Sequence, residues 1–530
     1  MKKTLSLIVA LTLMLSMLGG LSASADEAAT VEYPETVSVF TTMSEHLSKI
    51  GVTNYNETYF WQEMENRTGT HVEFQHLAAG ADLMTQVNLM VASKSLPDVI
   101  VGVDWKNVTG GAGLWEEDGV ILDLTDIIKT NMPNYYAAIQ EVPYWEPTLS
   151  IDGKMYYISD INHGVVYSGP NIRGDWLEAA GLEVPTTLDE LYTVLTYFKE
   201  HDMNGNGDTT DEWPMSGLGG DNMGWSPYSL MWAYGVHWDY QLVDGKVTHG
   251  MLLPEFTEAI TFMNKLYSEG LLDPDYATQD RTALDGKYMN DQVGMEFGIQ
   301  PTKMNSTMNP DAVDGEFAAI SLPNLKLTED SPAYVFNDVY ITLFTGAQAC
   351  ITGACDEPEK VAAWMDYIFS DEGSLLFNYG IEHMSFEYDE NGDPQIDYTG
   401  ALEANPDMDV NDLQYLYSIY GTSAFPSHIS ATRFKKTMHP YSVEATSGWM
   451  ADYDISRLLP TIALTAEQQE ELNDKLVDLD TYITTQMDKL VNGQTSLDEI
   501  PAIQQKLHDM GIDDIIAAYQ EVYDSLYAGK

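Results

Sequence analysis

Between Val37 and Val103, short apolar runs alternate with longer amphipathic ones, and this rhythm constrains the fold most. Val37 to Phe40 predicts a strand, Glu57 to Thr68 a helix, His71 to His76 a strand, Asp82 to Ser93 a helix and Val99 to Val103 a strand. Such a β-α-β pattern predicts an open, mostly parallel sheet covered by helices. Three capping boxes open further helices: Thr187-x-x-Glu190, Asp356-x-x-Glu359 and Thr465-x-x-Gln468. After the third, Leu472, Leu476, Leu479, Ile483, Met487 and Leu490 recur every three or four residues until Gly493 ends the run. That spacing puts them on one face of a long helix, packed on a core.

Length and charge narrow the function. The chain has 530 residues, with 82 acidic against 25 basic side chains and a formal net charge of −57. This length accommodates two to four lobes, each able to bury a core. Nucleic acid is excluded as a partner, because polyanion binding needs clustered Lys and Arg. The arginines are Arg67, Arg173, Arg281, Arg433 and Arg457, scattered along the chain. At the start, Lys2 and Lys3 precede an apolar stretch from Leu5 to Leu18 and the small residues Ala23-Ser24-Ala25. Residues 1–25 therefore read as a cleaved secretory signal peptide. No Cys follows the apolar stretch, so no lipid anchor is expected.

Two local motifs carry chemistry. Asp202, Asn204 and Asn206 occupy the first, third and fifth positions of a calcium-type loop, with Gly207 at the sixth. Alternating side-chain oxygens can converge on one cation where a glycine allows the sharp turn. Asp208 adds a carbonyl or carboxylate, and Asp211 or Glu212 supplies the closing carboxylate, since Trp213 stands at position twelve. A structural calcium ion is the expected cofactor; an Asn-Gly-rich turn without metal is the alternative. Cys350 and Cys355, the two cysteines, either close a small disulfide loop or remain buried thiols.

Several stretches together resemble family 1 extracellular solute-binding proteins, the capture components of carbohydrate ABC importers. They are Asn171-Ile172-Arg173-Gly174-Asp175-Trp176-Leu177, the run Ala180 to Glu190, the Asp-x-Asn-Gly-Asn-Gly loop, Leu96-Pro97-Asp98-Val99, Asp366 to Gly373, Asn378 to Glu382 and Tyr519 to Tyr523. The look is that of the lipoprotein-type branch from Gram-positive bacteria, without its lipobox cysteine. The resemblance implies two α/β lobes of the periplasmic-binding-protein type, crossing hinge strands and a helical C-terminal extension. It places 26–155 and 315–378 in the first lobe, and 156–314 and 379–530 in the second. It implies an extracellular, non-catalytic monomer that closes on an oligosaccharide and delivers it to membrane permease subunits.

Ligand candidates follow from strand ends and aromatic density. Open α/β sheets bind solutes at the carboxyl ends of strands, where Asp104 and Trp105 offer a hydroxyl acceptor and a stacking face. Asn56 and Trp61 lie near the first strand-helix junction. Trp225, Trp232 and Trp238 alternate with Tyr228, Tyr234 and Tyr240, a density of rigid rings that suits sugar stacking. Arg173 either grips a ligand carboxylate or forms an internal ion pair. By resemblance, Glu296, Gln300 and Tyr420 face the cleft. A secreted glycoside hydrolase is the enzyme alternative, but the sequence shows no His-Glu-x-x-His, no Gly-x-Ser-x-Gly and no phosphate loop. Uronate-containing oligosaccharides and peptides are the alternative ligands.

Overall fold

The computed structural model describes residues 31–527, except 79, 106–107, 109–110, 142–145, 147–148, 152, 163–165, 167, 220–225, 300, 310–317, 337–347, 420–424, 438, 461 and 463. The strands, in chain order, are β1 (Thr36–Thr41), β2 (His71–His76), β3 (Val99–Val101), β4 (Ile161–Asn162), β5 (Ser168–Arg173), β6 (Tyr240–Val243), β7 (Lys246–His249), β8 (Met295–Ile299), β9 (Ala319–Ser321), β10 (Ala349–Ile351), β11 (Phe386–Tyr388), β12 (Pro394–Ile396) and β13 (His428–Ile429). The opening rhythm is realised as read from the sequence, with helices Tyr59–Thr68 and Leu83–Ser93 between the first three strands. The Asp82 side chain accepts the Thr85 amide at 2.7 Å and so starts the second of these helices.

One lobe is built on the sheet β10-β3-β1-β2. β1 runs parallel to both β2 and β3, and β10 runs antiparallel to β3. Val99, Ile100 and Val101 are fully buried, as a central strand covered on both faces must be. Asp98 ties the start of β3 to β1 by accepting the Ser38 amide at 2.8 Å and its hydroxyl at 2.7 Å. This core takes in Val37 to Ile161 and Ala349 to Phe425.

The second lobe is built on β8-β5-β9, and here both neighbours run antiparallel to β5. The expectation of a mostly parallel sheet therefore holds for the first lobe only. Its core takes in Ile172 to Leu325 and Leu472 to Ala518. Thr187–Glu190 and Thr465–Gln468 form the predicted capping boxes, opening helices Leu188–Glu200 and Ala466–Val491. Asp356 does not cap its helix. That helix begins at Pro358, whose fixed φ and missing N–H suit a first turn, and no side chain caps it.

The cores divide the chain at points other than those the resemblance implied. β9 pairs with β5 of the second lobe, so residues 319–325 lie there and not in the first. Leu413, Leu416, Tyr417 and Phe425 pack in the first lobe, which extends past residue 378. Among the described residues, three stretches lead from one lobe to the other. In the first and third, β4 and β13 pair in parallel, Ile161 opposite His428. In the second, the Val335 amide donates to the Asp454 carbonyl at 3.0 Å. The helix Pro440–Ala451 returns the chain to the second lobe, where the Trp449 indole lies over Gly169. A Cβ on Gly169 would sit 2.5 Å from that ring, so a glycine is required there. The long helix Ala466–Val491 packs on helix Phe256–Ser268 of its own lobe and also touches helix Gly111–Glu117 of the other. Among the described residues, no helix is long and apolar enough to cross a membrane.

Candidate functional site

Aromatic side chains gather where the second passage meets the second lobe. The turn Pro227–Tyr234 carries Tyr228 and Trp232, ends at Gly235 with a left-handed φ of 71°, and leads into His237 and Trp238. The passage contributes Val335 and Phe336, which pack with Trp232. Trp232 lies 6.0 Å from Phe336 and 6.2 Å from Phe297 of β8, measured between ring centroids. His237 stacks on Phe336 at 4.8 Å with the rings 6° apart. The Gln241 side chain holds this stretch, accepting the His237 amide at 2.7 Å and donating to the Gly235 carbonyl at 2.9 Å. Arg457 donates to the same carbonyl at 2.7 Å.

His237 is 6 % exposed; the Tyr240 backbone lies beside its ring, and neither ring nitrogen makes a well-formed hydrogen bond among the described residues. Burial pushes its imidazole down to about 4, so the ring is neutral near pH 7. A neutral imidazole offers one donor and one acceptor. Ser226, Tyr228, Ser229, Trp232 and Trp238 surround it around a small void of about 10 Å³. The void has room for about one water; of the rings and hydroxyls around it, Trp238 is the least buried and the one open to an uncharged polyhydroxylated ligand.

The structure places the other predicted residues as follows. Trp105 is 0 % exposed and packs edge-on to Trp115 at 5.6 Å, a core anchor rather than a stacking platform. Its amide donates to Gln348 Oε1 at 3.1 Å, while Gly102 N donates to the Gln348 carbonyl at 2.8 Å. Gln348, unmarked in the sequence except by its place before the apolar run of β10, thus fixes the carboxyl end of β3. Asp104 is half-buried beside that end. Trp61 is core, wedged between Phe74, Trp364 and Phe425. Asn56 is structural, donating to the Val72 carbonyl at 2.8 Å.

Arg173 is 3 % exposed and forms the internal ion pair. It grips Asp175 through Nε at 2.7 Å and Nη2 at 2.5 Å, meets Asp291 through Nη1, and lies over the Trp176 ring. Glu296 is 0 % exposed in β8, accepts from the Tyr288 hydroxyl, and is raised to about 7 by burial. Of the predicted ligand residues that are described, Trp232 is the one that lies in the aromatic gathering. Trp225, Gln300 and Tyr420 lie outside the described residues.

The 202–212 loop folds around its own amides. Asp202 accepts from Gly205, Asn206 and Gly207, at 2.7, 3.1 and 2.8 Å. Asn204 accepts from Asn206, Asn206 from Asp208, and Asp208 from Thr210. Glu212, 7 % exposed, returns to accept the Met203 and Asn204 amides at 2.9 and 3.1 Å. Glu212 Oε2 and Asp211 Oδ1 are buried without a hydrogen-bond partner. Among the described residues no three His, Cys, Asp or Glu side chains converge as a metal site; the ligand set expected from the sequence counts two asparagines as well. Cys350 and Cys355 are both free thiols, the first buried in β10 and the second beside Asp98, so the loop between them is not closed by a disulfide.

Two interleaved α/β lobes joined by crossing passages, with rings massed at one of them, define a bilobal binding protein. The family model for bacterial extracellular solute-binding proteins matches residues 54–374, more than half of the chain, and the chain belongs to that family. The fructooligosaccharide ABC transporter substrate-binding protein FusA of Streptococcus pneumoniae serotype 4 is 25% identical over 510 residues, covering 90% of this chain and 88% of FusA. The structure of FusA with kestose superposes with a TM-score of 0.68 at 23% identity, covering 93% of this chain and 100% of that one. An EF-hand mutant of FusA with fructo-nystose gives 0.67 at 22% identity, with the same coverage. An HMO-binding solute-binding protein from Bifidobacterium longum infantis gives 0.71 at 18% identity, covering 93% and 99%.

Proposed function

We propose that this protein captures a neutral oligosaccharide outside the cell and delivers it to an ABC permease without changing it chemically. The observation that carries this reading is the ring cluster of Trp232, His237, Trp238 and Phe336 where a crossing passage meets the second lobe. A ligand bridging both lobes favours the closed arrangement by its contacts with each. FusA, similar over most of its length, is named for fructooligosaccharide and supports a carbohydrate ligand. Arg173 is already gripped by Asp175 and Asp291, which argues against a uronate clamp at that position. The protein acts as a monomer, exported by residues 1–25 and held at the surface through its transporter.

The 202–212 loop would hold one structural calcium ion through Asp202, Asn204, Asn206, Asp208 and the buried, unpartnered oxygens of Asp211 and Glu212. Bound there, the ion would neutralise converging carboxylates and brace the loop. The existence of an EF-hand mutant of FusA is consistent with this assignment.

The test is a thermal-shift screen of the chain from Asp26 onward against linear glycans, with calcium present, followed by recovery of the glycan. A ligand that binds the native state raises the melting temperature by mass action. A rise with one glycan class, recovered intact, supports the reading. Cleavage of the glycan would make the protein a hydrolase, and a rise with peptides alone would replace the carbohydrate ligand.

A further inference from the structure

Beside the ring cluster lies a larger cavity, of about 360 Å³, between the β6–β7 hairpin and the long helix Ala466–Val491. We infer that this chamber seats an outer sugar unit of the captured oligosaccharide and so selects for ligand length. The inference rests on the carbohydrate reading above.

Protein interiors leave few voids larger than a water, yet here a long amphipathic helix stands off from the wall it faces. The wall is aromatic: Trp238 and Tyr240 on the hairpin side, with Tyr519 of the last helix, Ile512–Leu526, set edge-on to Tyr240 at 4.8 Å. The opposite side is aliphatic, with Leu476, Ile483 and Met487. At the rim, Val477 is 59 % exposed, an apolar side chain left open to solvent at the mouth. Volume and lining match the concave, largely apolar sites that hold small ligands.

The polar groups define the ligand's chemistry. Asp239, Asp480 and Thr484 stand at the chamber, the carboxylates accepting hydroxyl hydrogens and the threonine able to donate or accept. Among the described residues no Lys or Arg lines it, so an anionic ligand meets only like charge there. Rings on one wall and aliphatics on the other suit the C–H face of a pyranose or furanose better than a cation, which needs rings on several sides.

The chamber connects to the proposed site. Tyr228 and Trp238 line both this cavity and the small void around His237. Trp238, with Tyr228, therefore stands between the ring cluster and the chamber. The helix forming the far wall also touches helix Gly111–Glu117 of the first lobe.

The experiment compares the unaltered protein with Thr484→Trp in titration calorimetry against gluco-, fructo-, xylo- and manno-oligosaccharides of increasing length. Thr484 is exposed on the helix, so an indole there fills the chamber without rebuilding the fold, and an unchanged melting temperature verifies this. Expected is a dissociation constant that tightens at least about tenfold with length in the unaltered protein, an increment lost in Thr484→Trp while the shortest ligand binds equally to both. Equal loss at every length, or no loss at any, overturns the chamber while leaving the carbohydrate reading standing. Absence of binding by any glycan to either protein overturns both. Tetramethylammonium binding to the unaltered protein alone reassigns the chamber to a cation and overturns the sugar assignment.

Discussion

His237 lies flat against Phe336, ring centroids 4.8 Å apart, and this contact joins the second lobe to the passage that leads into the first. A motion that separates the lobes bears on this stack, and a ligand reaching the imidazole nitrogens bears on it too. His237→Phe keeps the ring and removes both nitrogens. We expect glycan affinity to fall about tenfold, about 1.4 kcal/mol, by titration calorimetry. The melting temperature should change little, because the ring that stacks on Phe336 is kept and only a weak contact with the Tyr240 backbone is lost. Unchanged affinity would remove His237 from the site.

Trp105 reads as a ligand candidate by its position after β3, and its burial reassigns it to stability. Trp105→Ala should cost about 3–5 kcal/mol, as emptied aromatic positions in cores do. Urea titration measures this directly. A loss below about 1 kcal/mol, together with weakened glycan binding, would restore the stacking role.

Buried titratable groups set the pH dependence. Burial raises Asp160 and Glu296 each to about 7. Both are ionised in the unfolded chain above about 4 and stay neutral in the folded chain up to about 7. Their contribution to stability is thus full below about 4 and declines as pH rises toward 7. Asp160 accepts the Ser427 amide at 2.8 Å and its hydroxyl at 3.1 Å, bonds that an asparagine oxygen also accepts. Asp160→Asn should therefore raise stability at pH 8, by about 1–4 kcal/mol, and change little at pH 4.5. A gain of equal size at both pH values would contradict the burial argument.

Chelation tests the calcium loop. Starting from metal-loaded protein, chelator should lower the melting temperature of the unaltered chain, and Glu212→Gln should blunt the response. Glycan binding should survive, since the loop's side-chain hydrogen bonds stay within 202–212 and reach Gln292, none of them a member of the ring cluster. An identical melting curve with and without chelator would leave the loop a metal-free turn.

The cysteines are checked by mass. Alkylation in denaturant without reductant should modify both Cys350 and Cys355. A doubly unmodified chain that takes up two alkyl groups only after reduction would establish the disulfide instead.

Local signals were legible where backbone chemistry is local. The first strands and helices, the capping boxes at Thr187 and Thr465, and the buried stripe of Leu472 to Leu490 all depend on residues a few positions apart. What stayed illegible depends on distant pairing. Asp356 carries the same capping signature as Thr187, but Pro358 starts that helix instead. Glu296 is followed two residues later by Gly298, over which its carboxyl lies, an arrangement visible only once β8 has formed. Trp105 and Trp238 are alike in sequence terms, each an aromatic after a strand or turn. One is sealed beneath Trp115 and the other borders a cavity, because different remote segments cover them. Gln348 acquires its role only by meeting Trp105, 243 positions earlier in the chain.

The interleaving of the cores has a consequence for how the molecule comes into being. A chain made from its amino end has β3 long before β10, and until residue 351 arrives Val99, Ile100 and Val101 form an apolar, unpaired sheet edge, the kind of edge that invites association with another chain. By then the whole of β5 to β9 has been produced, yet that sheet still lacks the helical cover that begins at Leu472. Neither half can finish before most of the polypeptide exists, so contacts between remote positions make assembly slow. A nascent or translocating chain of this design depends on being kept apart from its neighbours until its last helices have arrived.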